Sequence, residues 1–157
     1  MDESIFPIKP YITRGYFRKG SRPSIRYSQN PRQKVCVFGA LSEDGFTGMT
    51  TEKINQYSFK KFIQKLYGKF GKIVLLLDNA SWHHAKSIER YVKDRDIILI
   101  FLPPYSPEIN PIEQSWKQLK KYLSLKVWET LKQLRSNILT SFRQNKLQVK
   151  MYDYLRF

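Results

Sequence analysis

Two uninterrupted apolar runs constrain this chain more than any other feature: residues 73–77 (Ile-Val-Leu-Leu-Leu) and 97–102 (Ile-Ile-Leu-Ile-Phe-Leu). Each is too short for a helix of ordinary length, and each is bounded by polar residues. Runs of this kind fit central strands covered on both faces. Between them, residues 85–94 place Ile88, Tyr91 and Val92 at helical spacing. A strand, a helix and a second strand of this length make a right-handed crossover with parallel strands. Both runs end in segments that cannot continue a strand. The first ends at Asp78-Asn79, the second at Pro103-Pro104-Tyr105-Ser106-Pro107. In open α/β sheets, ligands gather beyond the carboxyl ends of the strands.

The remaining elements complete an α/β domain with a mixed sheet. Residues 34–41 and 46–51 read as a hairpin, joined by a loop of about four residues at Ser42-Glu43-Asp44-Gly45. Residues 58–70 carry Phe59, Phe62, Ile63, Leu66 and Phe70 at helical spacing, with Ser58 as the expected N-cap and Gly71 as the stop. Asn110-Pro111 opens another helix, Asn as cap and Pro at the first helical position. Ile112, Trp116, Leu119 and Leu123 share one face of it, and Lys117, Lys120 and Lys121 lie on the other. Residues 130–142 predict a last helix with Leu131, Leu134, Ile138 and Phe142 inward. Residues 9–30 read as a loop or irregular hairpin, and 147–157 suit helix or strand equally. A chain of 157 residues suits one domain. Its apolar runs are strand-sized, which argues against a membrane partner. Its single cysteine, Cys36, has no internal partner and reads as a buried thiol.

Charge narrows the partner. Lys and Arg total 28 against 13 Asp and Glu, a net charge of +15. That excess attracts polyanions. It is also uneven: residues 9–34 hold eight basic residues and no acidic one. Arg14, Arg18, Lys19 and Arg22 in that segment form one candidate DNA surface, and Lys117, Lys120 and Lys121 form another. Nucleic acid is favoured over an anionic membrane, while a merely solvated basic face is the plain alternative.

Asp78 and Glu113, separated by 34 residues, both fall where a cleft would open. Each has a plain alternative. Asp78-Asn79 suits a turn, and Asn110-x-x-Glu113 has the form of a capping box. A third acid, Asp2, opens the chain. Two carboxylates about 5 Å apart repel by roughly 3 kcal/mol at an effective dielectric near 20. A cluster of them calls for a cation or for protonation. Few hard oxygen ligands suit Mg²⁺ or Mn²⁺, and two such ions about 4 Å apart can serve phosphoryl transfer. His83 and His84 lack the second His or Cys pair that a structural zinc needs. His83, with Asn79, is a candidate to support Asp78 by hydrogen bonding, with an uninvolved histidine as the even alternative.

The motif residues then carry a resemblance. Asp78-Asn79-Ala80-x-x-His83, the run from Leu102 through Pro103-Pro104-Tyr105-Ser106-Pro107 to Asn110-Pro111-Ile112-Glu113, and Trp116-Lys117-x-x-Lys120 resemble the DDE transposases of bacterial and archaeal insertion sequences related to mariner elements. The spacing of the second and third acids matches that group, and Asp2-Glu3-Ser4 resembles the segment bearing the first. Gly39-Ala40-Leu41 and the Asp44-Gly45 turn resemble the second strand and its hairpin.

The resemblance implies a ribonuclease H-like (retroviral-integrase-like) fold, a mixed central sheet flanked by helices. It implies that Asp2, Asp78 and Glu113 are catalytic and bind two Mg²⁺ (or Mn²⁺) ions. It also implies hydrolytic cleavage at transposon ends, then attack of the freed 3′-hydroxyl on target DNA. The partners implied are transposon-end and target DNA and a second copy of the chain in the active complex, in the cytoplasm at a prokaryotic nucleoid. Family members carry N-terminal helix-turn-helix domains and apolar residues before the first acid. Residues 1–157 are accordingly expected to be a single catalytic domain with a shortened first strand. Two alternatives stand beside this reading, an inactive DNA-binding remnant and a cellular nuclease of the same fold.

Overall fold

Strands β1 (Asp2–Pro7), β2 (Lys34–Ser42) and β3 (Gly45–Thr51) form an antiparallel sheet in the order β1-β2-β3. In this computed structural model, residues 1–12, 16–21, 24–25, 32–104, 106–144 and 147 are described. Strand β1 runs the full six residues from Asp2, paired with β2 from Asp2 opposite Gly39 to Pro7 opposite Lys34. The hairpin turn is tighter than expected. Ser42 pairs with Gly45, leaving a two-residue loop, Glu43-Asp44. Gly45 makes this possible with φ 111°, a left-handed backbone that other residues rarely adopt.

The two apolar runs form a parallel pair, β4 (Val74–Leu77) and β5 (Ile98–Phe101), with Val74 beside Ile98 and Leu77 beside Phe101. The Met1 nitrogen donates to the Leu76 carbonyl and so sets β4 beside the start of β1. Helix α1 (Gln56–Phe70) leads into β4, and a 3-10 turn (Ser81–His84) with helix α2 (Lys86–Lys93) joins β4 to β5. Helix α1 starts before the expected cap. Asn55, not Ser58, is the N-cap, and its Oδ1 accepts from the Tyr57 and Ser58 amides at 3.0 Å. Ser58 Oγ accepts in return from the Asn55 amide, which completes a capping box. Helices α3 (Ile112–Leu123) and α4 (Leu131–Arg143) follow.

Two cores lie on opposite sides of the sheet. On one, α1 and α2 press Phe59, Phe62, Ile63, Leu66 and Ile88 against Phe38, Leu75 and Leu77. On the other, α3 and α4 press Trp116, Leu119, Leu123, Leu134 and Ile138 against Phe6, Val35 and Val37. The parallel strands are therefore covered on one face only. Val74, Leu76, Ile98 and Ile100 are 54%, 50%, 55% and 46% exposed. The expectation of cover on both faces fails because α3 and α4 serve the antiparallel strands. No helix among the elements that form the two cores is placed over the second face of β4 and β5, which stays about half exposed. Only Leu147 of the ambiguous tail is described; it is buried, and its carbonyl accepts from Ser115 Oγ.

A row of small residues crosses the α3 side of the sheet. Asp2 pairs with Gly39, and Gly39 pairs with Gly48. A β-carbon on Gly39 would lie 2.5 Å from Trp116 Cη2 and 2.8 Å from Phe46 Cζ. A β-carbon on Gly48 would lie 2.6 Å from Phe142 Cε2. These rings are packed in the core and have little room to yield. Gly39→Ala is expected to lower unfolding stability by about 1–3 kcal/mol through overpacking. Urea denaturation monitored by Trp fluorescence checks this. A midpoint equal to that of the parent chain would show that the rings adjust freely.

Candidate active site

Asp2, Asp78 and Glu113 line one cleft of about 490 Å³, with Asn79, Ala80 and residues 102–104, 106, 107 and 110 as its other walls. Three separate elements deliver them: the start of β1, the residue after β4, and the first turn of α3. Helix α3 begins at Ile112, and no side chain caps it among the described residues. The expected capping role of Asn110 and Glu113 is therefore not adopted. Asn110 instead gives its backbone carbonyl to the Glu113 amide, and Glu113 borders the cleft.

Asp2 is the most constrained acid. Its Oδ2 accepts a 2.8 Å hydrogen bond from Trp116 Nε1. Burial pushes its carboxyl pKa up to about 6, against the pull of the Trp116 bond and with the charges of Glu3 and Glu113 adding to the rise. Asp78 is half exposed. Its Oδ1 accepts from the Ala80 amide at 3.2 Å and lies 3.2 Å from His83 Nδ1. Among the described residues Asn79 does not support a carboxylate. Its amide nitrogen donates to the Leu102 carbonyl at 2.6 Å and ties the ends of β4 and β5 together.

His83 is buried beneath Asp78, with its ring 4.3 Å from that of Phe59. Nδ1 meets the Asp78 carbonyl at 3.1 Å, and Nε2 meets Glu3 Oε1 at 2.9 Å. Both nitrogens thus face acceptors, an arrangement that a doubly protonated ring satisfies and a singly protonated one does not. Burial holds the imidazolium down, but the Glu3 hydrogen bond and charge outweigh it, with Asp78 adding, so the pKa is raised. His84 lies apart, exposed and stacked on Phe101. Sequence reasoning placed Glu3 only within a motif. Its partner arrives from 80 residues away, which no local signal discloses.

The basic residues divide. Lys117, Lys120 and Lys121 are exposed on α3, four, seven and eight residues after Glu113, and so continue its stripe along the helix. Arg18 and Lys19 are exposed in a turn where Ser21 donates to the Arg18 carbonyl. Arg14 and Arg22 lie outside the described residues.

The fold is of the ribonuclease H-like class. The sequence profile of the DDE superfamily endonucleases matches residues 1–135, and the chain belongs to that family. The fold is shared with the Mos1 mariner transposase. The Mos1 strand transfer complex superimposes with a TM-score of 0.71 at 15% identity, covering 90% of this chain and 45% of that one. The Mos1 paired-end complex with Mg gives 0.72 at 15% identity, over 98% of this chain and 50% of that one. The isolated Mos1 catalytic domain gives 0.62 at 16% identity, over 78% and 68%. A Sinorhizobium fredii protein, the uncharacterized y4pE/y4sA, is 42% identical over 57 residues, which is 36% of this chain and 40% of its own. The chain spans about half the length of the Mos1 proteins in those complexes.

The raised Asp2 carboxyl has a consequence for stability. The folded chain keeps this proton to about pH 6, whereas an unfolded one releases it near 3.8. The group's contribution is therefore fully present below pH 3.8 and is lost as pH rises through 6. At neutral pH the ionised group opposes folding by at most about 3 kcal/mol. Asp2→Asn is expected to stabilise the divalent-free protein at neutral pH, with the gain vanishing in acid. Thermal unfolding across that range checks it, and a pH-independent difference would contradict the assignment.

Proposed function

We propose that this domain is the catalytic unit of a transposase, cutting DNA at the ends of an insertion sequence and joining the freed 3′-hydroxyl to target DNA. The observation that carries this reading is the convergence of Asp2, Asp78 and Glu113 on one cleft. Supporting it are membership of the endonuclease family and the shared fold of Mos1, whose complexes include a strand transfer state.

The donor set fits a divalent metal. It consists of carboxylate oxygens at the rim of an open cleft, one of them strained towards protonation by burial and like charge. Hard oxygen donors of low count suit Mg²⁺ or Mn²⁺, the ions with which Mos1 complexes were solved. Asp2, Asp78 and Glu113 would hold two such ions, which would supply activation of the attacking oxygen and relief of charge on the leaving one.

The chain's own groups do the rest. Trp116 orients Asp2, and His83 orients Asp78. Lys117, Lys120 and Lys121 hold the phosphates that flank the scissile bond, with Arg18, Lys19 and their neighbours Arg14 and Arg22 as a second DNA surface. In the first step water attacks phosphorus and the P–O3′ bond breaks. In the second, the released 3′-oxygen attacks a target phosphate and one P–O bond replaces another. Two copies of the chain act together on paired ends, as the paired-end assemblies of Mos1 suggest. The site of action is the prokaryotic nucleoid, and no helix among the described residues is long and apolar enough to cross a membrane.

Glu113→Gln is expected to abolish Mn²⁺-dependent nicking of supercoiled DNA while leaving the circular dichroism spectrum and melting temperature near those of the parent. Full nicking by this variant would refute the assignment. The Lys117→Ala, Lys120→Ala, Lys121→Ala triple variant is expected to weaken DNA binding whatever the sequence. It should also flatten the slope of log affinity against log salt by about 2–3, near 0.9 per lost phosphate contact. An unchanged slope would place the DNA elsewhere.

A further inference from the structure

We infer that Glu3 is a positioning residue for the active site, fixing Asp78 through His83. Glu3 and Asp2 are neighbours on β1, and strand geometry sends their side chains to opposite faces. Asp2 turns towards Trp116 and the cleft. Glu3 turns to the α1 side, where its side chain is only 5% exposed and takes no part in lining the cleft. A carboxylate this buried needs partners. Two donors meet one of its oxygens, His83 Nε2 at 2.9 Å and Trp82 Nε1 at 3.4 Å.

The other edge of the same imidazole holds Asp78 twice, at its carbonyl and at Oδ1. The result is a continuous link from β1 through Glu3 and His83 to the residue that follows β4. The two acids at the ends of these strands are thereby held at a set separation on the cleft side. Only one Asp78 oxygen is engaged by the link and by the Ala80 amide, which leaves the other for the cleft.

The ligand atoms of Glu3, Asp78 and His83 lie within 4.8 Å of one another, but the trio is a hydrogen-bonded strut and not a metal site of its own. The His83 side chain has no exposed surface, and both of its nitrogens already sit at hydrogen-bond distance from oxygen acceptors. An ion there would have to break the contacts that keep the ring in place.

This inference rests on Asp78 as a metal ligand, and the test separates the two ideas. Mn²⁺ binding to the full 157-residue chain is measured by calorimetry for the parent and for Glu3→Gln, His83→Asn, Asp78→Asn and the pairwise combinations. Loss of an outer partner of a metal ligand typically costs about 10–100-fold in affinity. Glu3→Gln and His83→Asn are each expected to weaken Mn²⁺ binding within that range and to no greater extent together. Independent effects of the two changes would instead add in the Glu3→Gln, His83→Asn combination. DNA affinity without metal should stay at the parent value.

Parent-like Mn²⁺ affinity in Glu3→Gln, with binding lost in Asp78→Asn, would overturn the strut and leave the metal reading standing. Additive losses would overturn it equally. A parent chain that binds no Mn²⁺ would remove both. If Glu3→Gln fails to fold, Mn²⁺ affinity of His83→Asn alone carries the comparison: a parent-like value overturns the strut, and a loss of about 10–100-fold with DNA affinity unchanged supports it.

Discussion

One hydrogen bond sets the register of the site. Trp116 Nε1 reaches Asp2 Oδ2 at 2.8 Å, across 114 residues of sequence. Trp116 lies three residues after Glu113 on α3, so the bond that holds the first acid also seats the helix that carries the third. It forms only because the sheet beneath is bare. Gly39, opposite Asp2, and Gly48 beyond it leave the volume that the Trp116 and Phe142 rings occupy. The indole thus acts as a packed core group and as a donor to a buried carboxylate, a combination that few side chains offer.

The second acid is governed by a different interaction on the opposite side of the sheet. Glu3 and His83 are both buried, and their contact closes a path between two strands that do not pair directly through those residues. A buried charge-assisted pair has a large desolvation cost and contributes little net stability. What it supplies is geometry. The site is therefore built from two braces on opposite faces, one for Asp2 with Glu113 and one for Asp78. Burial of the Asp2 carboxyl opposes folding at neutral pH, the usual conflict between function and stability at such sites.

Much of the architecture was legible locally. The parallel strands, the hairpin and the four helices follow from apolar periodicity, and the end of the first helix from Gly71. The errors have local causes too. Ser58 and Asn55 both suit a helix start, and the choice depended on which oxygen could reach two amides. The hairpin loop is shorter than the pattern suggests because Gly45, a usual loop residue, pairs with Ser42 through its positive φ. Strand β1 announced itself poorly, since Asp-Glu-Ser at its start lacks the apolar alternation of a half-buried strand. Uniform apolarity in β4 and β5 suggested cover on both faces, but composition cannot say where the helices will lie.

The amino-acid sequence by itself determined the elements, the basic surface and the three acids it offers as candidates, because periodicity, charge and motif spacing are properties of neighbouring residues. It also carried the family resemblance, since the proline-rich run before Glu113 is contiguous. Only the tertiary structure decided that Glu113 borders the cleft and does not cap its helix. The same holds for the placing of Asp2 under Trp116 and for the joining of Glu3 to Asp78 through His83. Those outcomes depend on contacts across roughly half the chain or more. Hydrogen bonding and desolvation act on distances in space, and no local pattern records which distant residues the fold will bring together.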